Sequence, residues 1–186
     1  MKEKRKIKRR YLLYYMRVYD TESQQQIGVA KEELGGFIKF LRLFISKVLL
    51  PAKVAVYEQG EQNPVFMIEK PFSFRPKVRI HDQNNKYLGY FHSKLWARGF
   101  FVFDVNERQV AEIKGDWKGW NFKFLDNAGN EIGVVTKKWA GIGKELFTSA
   151  DNYIISINDT VEQDPESSTL LLAAGLAIDI VFKERK

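Results

Sequence analysis

"SSTLLLAAGLAIDIVFKERK", residues 167–186, is the most apolar stretch of a 186-residue chain, and one aspartate, Asp179, stands inside it. The run from Leu170 to Phe182 would span about 20 Å as an α-helix. A bilayer core is ~30 Å thick and needs ~20 apolar residues to cross. An aspartate near the bilayer centre adds ~2.5–3.5 kcal/mol. The run is too short and carries the wrong side chain for a membrane span. It reads as a buried helix over about 168–184, with Leu171, Leu172, Leu176, Ile178 and Phe182 in the core. Ser167 or Ser168 is its expected N-cap, and Lys183, Arg185 and Lys186 suit its C-terminal dipole. Asp179 stands four residues before Lys183, a pairing distance on a helix, and is expected near an opening with a polar partner. A helix apolar on every face needs partners on every face, so the rest of the chain must supply a shell.

The shell is legible as a repeat. "VRIHDQNNKYLGYF", "FVFDVNERQVAEI" and "FKFLDNAGNEIGVV" place Asp82, Asp104 and Asp126 at 22-residue intervals. Looser copies surround Asp20 and Glu58. Each copy is an alternating apolar run, an acidic residue, a few polar residues and a second alternating run, the pattern of a β-hairpin. Aspartate starts turns because its carboxylate accepts from its own backbone two residues on. Trp96, Trp117 and Trp139 stand beside glycines between copies, where a tight corner is expected. Five hairpins give about ten strands, and closure into a barrel of about twelve would remove the sheet edges. Such a barrel is too wide for side chains alone to fill. The closing apolar helix is the natural filling. The expected fold is therefore mainly β: a closed antiparallel barrel of about twelve strands, threaded by a C-terminal hydrophobic helix. One domain is expected over 11–186, preceded by a flexible basic arm over 1–10.

The charge is uneven. The chain has 30 Lys/Arg and 23 Asp/Glu, a net +7. Lys2, Lys4, Arg5, Lys6, Lys8, Arg9 and Arg10, against Glu3 alone, hold nearly all of that excess. "FIKFLRLFISKVLLP", residues 37–51, has helical period, with Lys39, Arg42 and Ser46 on one face and phenylalanines on the other. It reads as an additional amphipathic helix that closes one end of the barrel or lies in a membrane interface, its basic edge on headgroups. Near an anionic leaflet each basic residue is worth ~1 kcal/mol before screening. The candidate lipid-binding residues are those of the arm together with Lys39, Arg42 and Lys47.

Residues 137–157, "KKWAGIGKELFTSADNYIISI", followed by "LLLAAGLAIDIVFKE", resemble the C-terminal part of the phospholipid scramblases. Trp139, Gly141, Glu145, Phe147, Thr148, Asp151, Asn152, Ile178 and Asp179 carry the likeness. It extends over about 75–184. Scramblases group with tubby C-terminal and LURP-one-related proteins. The resemblance implies a twelve-stranded barrel around a C-terminal helix, and a role with lipid. Two departures stand out. The chain has no cysteine to carry the palmitoylated run of scramblases, and Ser149 stands where their calcium-binding segment has an acid. Asp151, Asp159 and Asp164 are the candidate calcium ligands, but the glycine of an EF-hand loop is missing.

Enzymatic constellations are not found. There is no thiol, no His-Glu-x-x-His and no P-loop, and the two histidines, His81 and His92, lie in strand-like runs. No catalytic residue, resident metal or cofactor is expected. The reading is a non-enzymatic, lipid-associated module, cytoplasmic and peripheral on the inner face of a membrane, with anionic phospholipid headgroups as partner. The alternatives are phospholipid scrambling and a protein-interaction scaffold. Nucleic acid is disfavoured because the body beyond the arm is nearly neutral.

Overall fold

The computed structural model describes residues 15–19, 25–33, 49–73, 77–93, 99–116, 121–136, 154–158 and 164–182, with a few isolated positions besides. Eleven strands follow one another: β1 (Tyr15–Tyr19), β2 (Gln26–Glu32), β3 (Ala52–Glu58), β4 (Phe66–Lys70), β5 (Lys77–Asp82), β6 (Tyr87–Ser93), β7 (Gly99–Asp104), β8 (Gln109–Asp116), β9 (Asn121–Leu125), β10 (Glu131–Thr136) and β11 (Ile154–Ile157). They form one sheet whose spatial order is the chain order, every neighbouring pair antiparallel. Helix α1 (Pro165–Phe182) closes the described chain.

Period-two alternation decides the two faces of the sheet. Val54 and Val56 of β3, Phe66 and Ile68 of β4, and Val78 and Ile80 of β5 are buried in register across three strands. Phe91, Phe100, Val102, Ile113, Phe122 and Phe124 continue this inner face through β6 to β9. Between them Lys77, Arg79 and Lys123 stand exposed on the outer face.

Helix α1 lies on the inner face, and Leu170, Leu171, Ala173, Ala174, Leu176, Ala177 and Ile178 join the same core. It touches β4, β5 and β6 and also β11. In a flat sheet β4 and β11 would be about 33 Å apart, at ~4.8 Å per strand. A helix with its side chains is only ~10–12 Å across. The sheet therefore curls around α1. Gly175 makes the approach to β11 possible: a Cβ built there would lie 2.5 Å from Ile155 Cδ1.

The mainly β, antiparallel expectation holds, and three expectations about the helix are corrected. About twelve strands in a closed barrel were expected; eleven are described, and no pairing joins β1 to β11 among the described residues. In a meander of odd count these edges run the same way, so direct pairing between them would be parallel. Helix α1 begins at Pro165, earlier than about 168. Its N-cap is Asp164 instead of Ser167 or Ser168. The Asp164 carboxylate accepts from Glu166 N (3.3 Å) and Ser167 Oγ (2.5 Å), and its carbonyl accepts from Ser168 N (2.9 Å). Pro165 fits the first helical position, which needs no amide donor. Leu172 is 39% exposed, not a core residue. It lies ~200° around the helix from Leu170, at 100° per residue. Leu170 packs beside Gly89 of β6, so Leu172 points away from that wall.

Strand parity sorts the connections. The β1–β2, β3–β4, β5–β6, β7–β8 and β9–β10 turns share one end of the sheet. The starts of odd strands and the ends of even strands share the other. An ion pair between Lys86, in the β5–β6 turn, and Glu166 anchors the start of α1 at the turn end. Eighteen helical residues rise about 27 Å. That matches the strands, which at ~3.3 Å per residue span about 13–26 Å, so α1 finishes at the opposite end.

Candidate functional site

The repeated aspartates build three nearly identical turns. Asp82, Asp104 and Asp126 each accept, through Oδ1, the backbone N–H two residues on, at 2.8 Å. The same oxygen accepts the N–H four residues on, at 2.8–2.9 Å. The third residue after each aspartate has positive φ: Asn85 at 62°, Glu107 at 61° and Gly129 at 88°. Side chains stitch neighbouring turns together: Asn127 Nδ2 donates to the Gln109 carbonyl (2.7 Å), and Asn158 Nδ2 to that of Glu131 (2.8 Å). The bond from Asn130 comes first in holding the Asp126 carboxyl below its usual range. At Asp104 burial is the largest influence and pushes upward, but the bonds from Arg108 and Asn106 together outweigh it, so the carboxyl is lowered. These acids serve as acceptors for their own backbone.

Between the turns the outer wall carries one aromatic platform. Tyr90 of β6 stacks on Phe103 of β7 with centroids 4.8 Å apart and planes 13° from parallel. Lys77 Nζ stands 4.2 Å from the Tyr90 ring centre. The Tyr90 hydroxyl donates to Glu107 Oε2 at 2.6 Å. Burial, reinforced by that bond, pushes the phenol up to about 12. Tyr90 is thus a fixed donor near neutral pH, with no nucleophilic or basic character.

The described polar residues divide by end. Glu58, Glu61, Asp82, Asp104, Glu107, Asp126, Glu131, Asp164 and Glu166 lie at the turn end, where the described bases are Lys86, Arg108 and Lys123, the last through its ion pair with Glu131 (2.7 Å). At the other end Phe72, in the β4–β5 connection, is 59% exposed, the most exposed large apolar side chain described. Also at that end, Glu32 and Lys70, the last residues of β2 and β4, are buried on the inner face and hold polar partners. Sequence reasoning missed this pair. The signal was present, since each falls on the inward beat of its strand, in Ala30-x-Glu32 and Ile68-x-Lys70.

Of the candidate site residues, Leu171, Leu176 and Ile178 are core, and Asp179 and Phe182 lie in the last turn of α1. Asp164 is the helix cap. Asp151 and Asp159 lie outside the described residues, as do the arm, the basic residues of 37–51 and the three glycine-flanked tryptophans. Of the 37–51 segment only Ile38, Leu49, Leu50 and Pro51 are described, with Ile38 helical and Leu50 buried. The structure therefore brings none of the basic candidates together among the described residues. No group of three or more acidic or histidine side chains there is arranged to hold a metal. His81 faces Tyr87 across the β5–β6 hairpin while His92 faces Lys77, so the histidines sit at opposite ends of it. No described helix is long and apolar enough to cross a membrane, which leaves open a crossing by strands.

These features define a mainly β module curled around its own C-terminal apolar helix. The family model described as Scramblase matches residues 18–185, and the chain belongs to the scramblase family. A phospholipid scramblase family protein of Schizosaccharomyces pombe (strain 972) is 24% identical over 136 residues, which cover 64% of this chain and 35% of that protein. No solved structure matches the chain.

Proposed function

We propose that the chain is a non-enzymatic, membrane-surface module that engages anionic phospholipid headgroups from the cytoplasmic side. Lys2, Lys4, Arg5, Lys6, Lys8, Arg9 and Arg10, with Lys39, Arg42 and Lys47, make the contact in this reading. The observation that carries it is the burial of α1 by the chain's own strands. A helix buried at Leu170, Leu171, Ala173, Ala174, Leu176, Ala177 and Ile178 leaves surface charge and interfacial side chains as the means of holding lipid. Membership of the scramblase family supports lipid as the partner. In the same reading the sheet closes into a barrel through a further strand, since an even count lets the closing pairs be antiparallel. The test is co-sedimentation with phosphatidylcholine vesicles, with and without phosphatidylserine, at low and high salt. Binding that needs phosphatidylserine, weakens with salt and falls when residues 1–10 are removed is expected. Binding indifferent to all three overturns the reading.

A second reading, movement of phospholipid between leaflets, is favoured by the printed name of the S. pombe relative, a phospholipid scramblase family protein. Reconstitution into vesicles with a fluorescent lipid tests it. Unchanged leaflet exchange, with and without calcium, overturns it.

A further inference from the structure

We infer that the outer wall over β5, β6 and β7 docks an acidic segment of a partner protein, with carboxylates on Arg79 and Lys77 and an apolar side chain on Phe101 and Phe103. This docking is independent of the membrane reading above.

The register builds the surface. Arg79, Tyr90 and Phe103 lie in one cross-strand row, and Lys77, His92 and Phe101 lie in the next. All six fall on outward beats, because Val78, Phe91 and Val102 between them are buried in the core. Strand β5 thus contributes two cations about 7 Å apart, and β7 two phenylalanines about 10 Å away across β6. An antiparallel sheet with one face on the core ordinarily turns polar residues outward. Here β7 turns out Phe101 and Phe103, both only partly buried. Tyr90 is buried between the two columns and forms the floor.

Charge decides the occupant. Arg79 and Lys77 are exposed, and among the described residues neither holds a carboxylate. The acids bordering the rows are each engaged elsewhere. Glu69, opposite Arg79, meets Lys53 at 3.0 Å, and Glu112, opposite Phe101, meets Lys114 at 3.3 Å. Asp104 holds Arg108 at 2.9 Å, Glu107 accepts from the Tyr90 hydroxyl at 2.6 Å, and Asp82 accepts from its own turn. Two like charges side by side repel, and a carboxylate from outside relieves them. A guanidinium takes such a carboxylate through two parallel N–H bonds. Tyrosine, phenylalanine and arginine are also the side chains enriched at protein interfaces. Single-stranded nucleic acid is a poorer fit, since its bases need open rings to stack on. Tyr90 already has Phe103 and Lys77 against its ring.

The test selects a phage-displayed random peptide library on the full chain, then measures the enriched peptides, synthesised with a fluorophore, by anisotropy. Enriched sequences are expected to combine Asp or Glu with an apolar residue and to bind less tightly as salt rises. Arg79→Gln and Lys77→Gln, both at exposed positions, are each expected to weaken binding about tenfold while the circular dichroism melt stays unchanged. Lys123→Gln, on β9, should change affinity less than about twofold. Absence of enrichment, enrichment of basic sequences, or affinity indifferent to both Arg79→Gln and Lys77→Gln overturns the inference. So does loss, in those variants alone, of binding to phosphatidylcholine/phosphatidylserine vesicles or of self-association with peptide binding intact, which would assign the wall to lipid or to a second copy.

Discussion

Gly175 of α1 and Ile155 of β11 share one contact. A Cβ built on the glycine would lie 2.5 Å from Ile155 Cδ1 and 2.9 Å from its Cγ1. The helix interior would otherwise favour alanine over glycine by ~1 kcal/mol. Close passage of a strand over the helix explains the exception. Gly175→Val is expected to destabilise by about 1–3 kcal/mol through overpacking. Ile155→Ala, made together with it, should recover part of that loss. Urea unfolding of the two single variants and the double variant measures the coupling.

The turn aspartates give a substitution pair with unequal outcomes. Asp104 Oδ1 holds two backbone amides, and its other oxygen meets Arg108 at 2.9 Å. Asp104→Ala removes these acceptors and is expected to cost about 1–2 kcal/mol. Asp104→Asn keeps the Oδ1 acceptor and should cost less, a difference that chemical denaturation resolves. The lowered carboxyls of Asp104 and Asp126 contribute stability that is present above the unfolded carboxyl value of 3.8. It is lost as pH falls through the lower folded values. The acid unfolding midpoint should therefore shift upward in Asp104→Ala.

At the start of α1 two interactions of different worth stand side by side. Asp164→Ala removes the N-cap and is expected to cost about 1 kcal/mol. Lys86→Ala removes an exposed ion pair to Glu166 and should leave the thermal midpoint nearly unchanged, because water screens such pairs. A larger loss from Lys86→Ala than from Asp164→Ala would contradict this account of how the helix is held.

Tyr90 contributes to the alkaline limb. Its folded value near 12 lies above the ordinary tyrosine value of 10.0. The stability it contributes is complete below the unfolded value and is lost as pH rises from there through the folded value. Tyr90→Phe should unfold with a flatter dependence on pH above 10, seen in thermal melts followed by circular dichroism. Ultraviolet titration of the phenols should lose its highest-pH component in the variant.

Local chemistry was the legible part. The 22-residue spacing of Asp82, Asp104 and Asp126 announced hairpins because an Asx turn is written within five residues, and the bonds are those the spacing implied. The sheathed helix was legible from its length and its acid. What resisted reading depends on distant partners. Leu172 has the same side chain as Leu171, and only the placement of the strands tells them apart. Glu32 and Lys70 carry charge on inward beats, where alternation and polarity give opposite answers. The cap was misjudged for a different reason. Two serines drew attention from Asp164-Pro165, where the proline marked the true first turn.

The meander also sets an order of events during synthesis. Each strand can pair with its predecessor as it emerges, and nearby pairings form quickly. Yet the apolar wall presented by Phe66, Ile80, Phe91 and Phe124 has no filling until residues 165–182 leave the ribosome. Until then the nascent sheet exposes sticky surface of the kind that invites aggregation. A chain stopped short of the helix should be a client for chaperones or degradation, so premature termination late in the message would act as a near-complete loss of the protein.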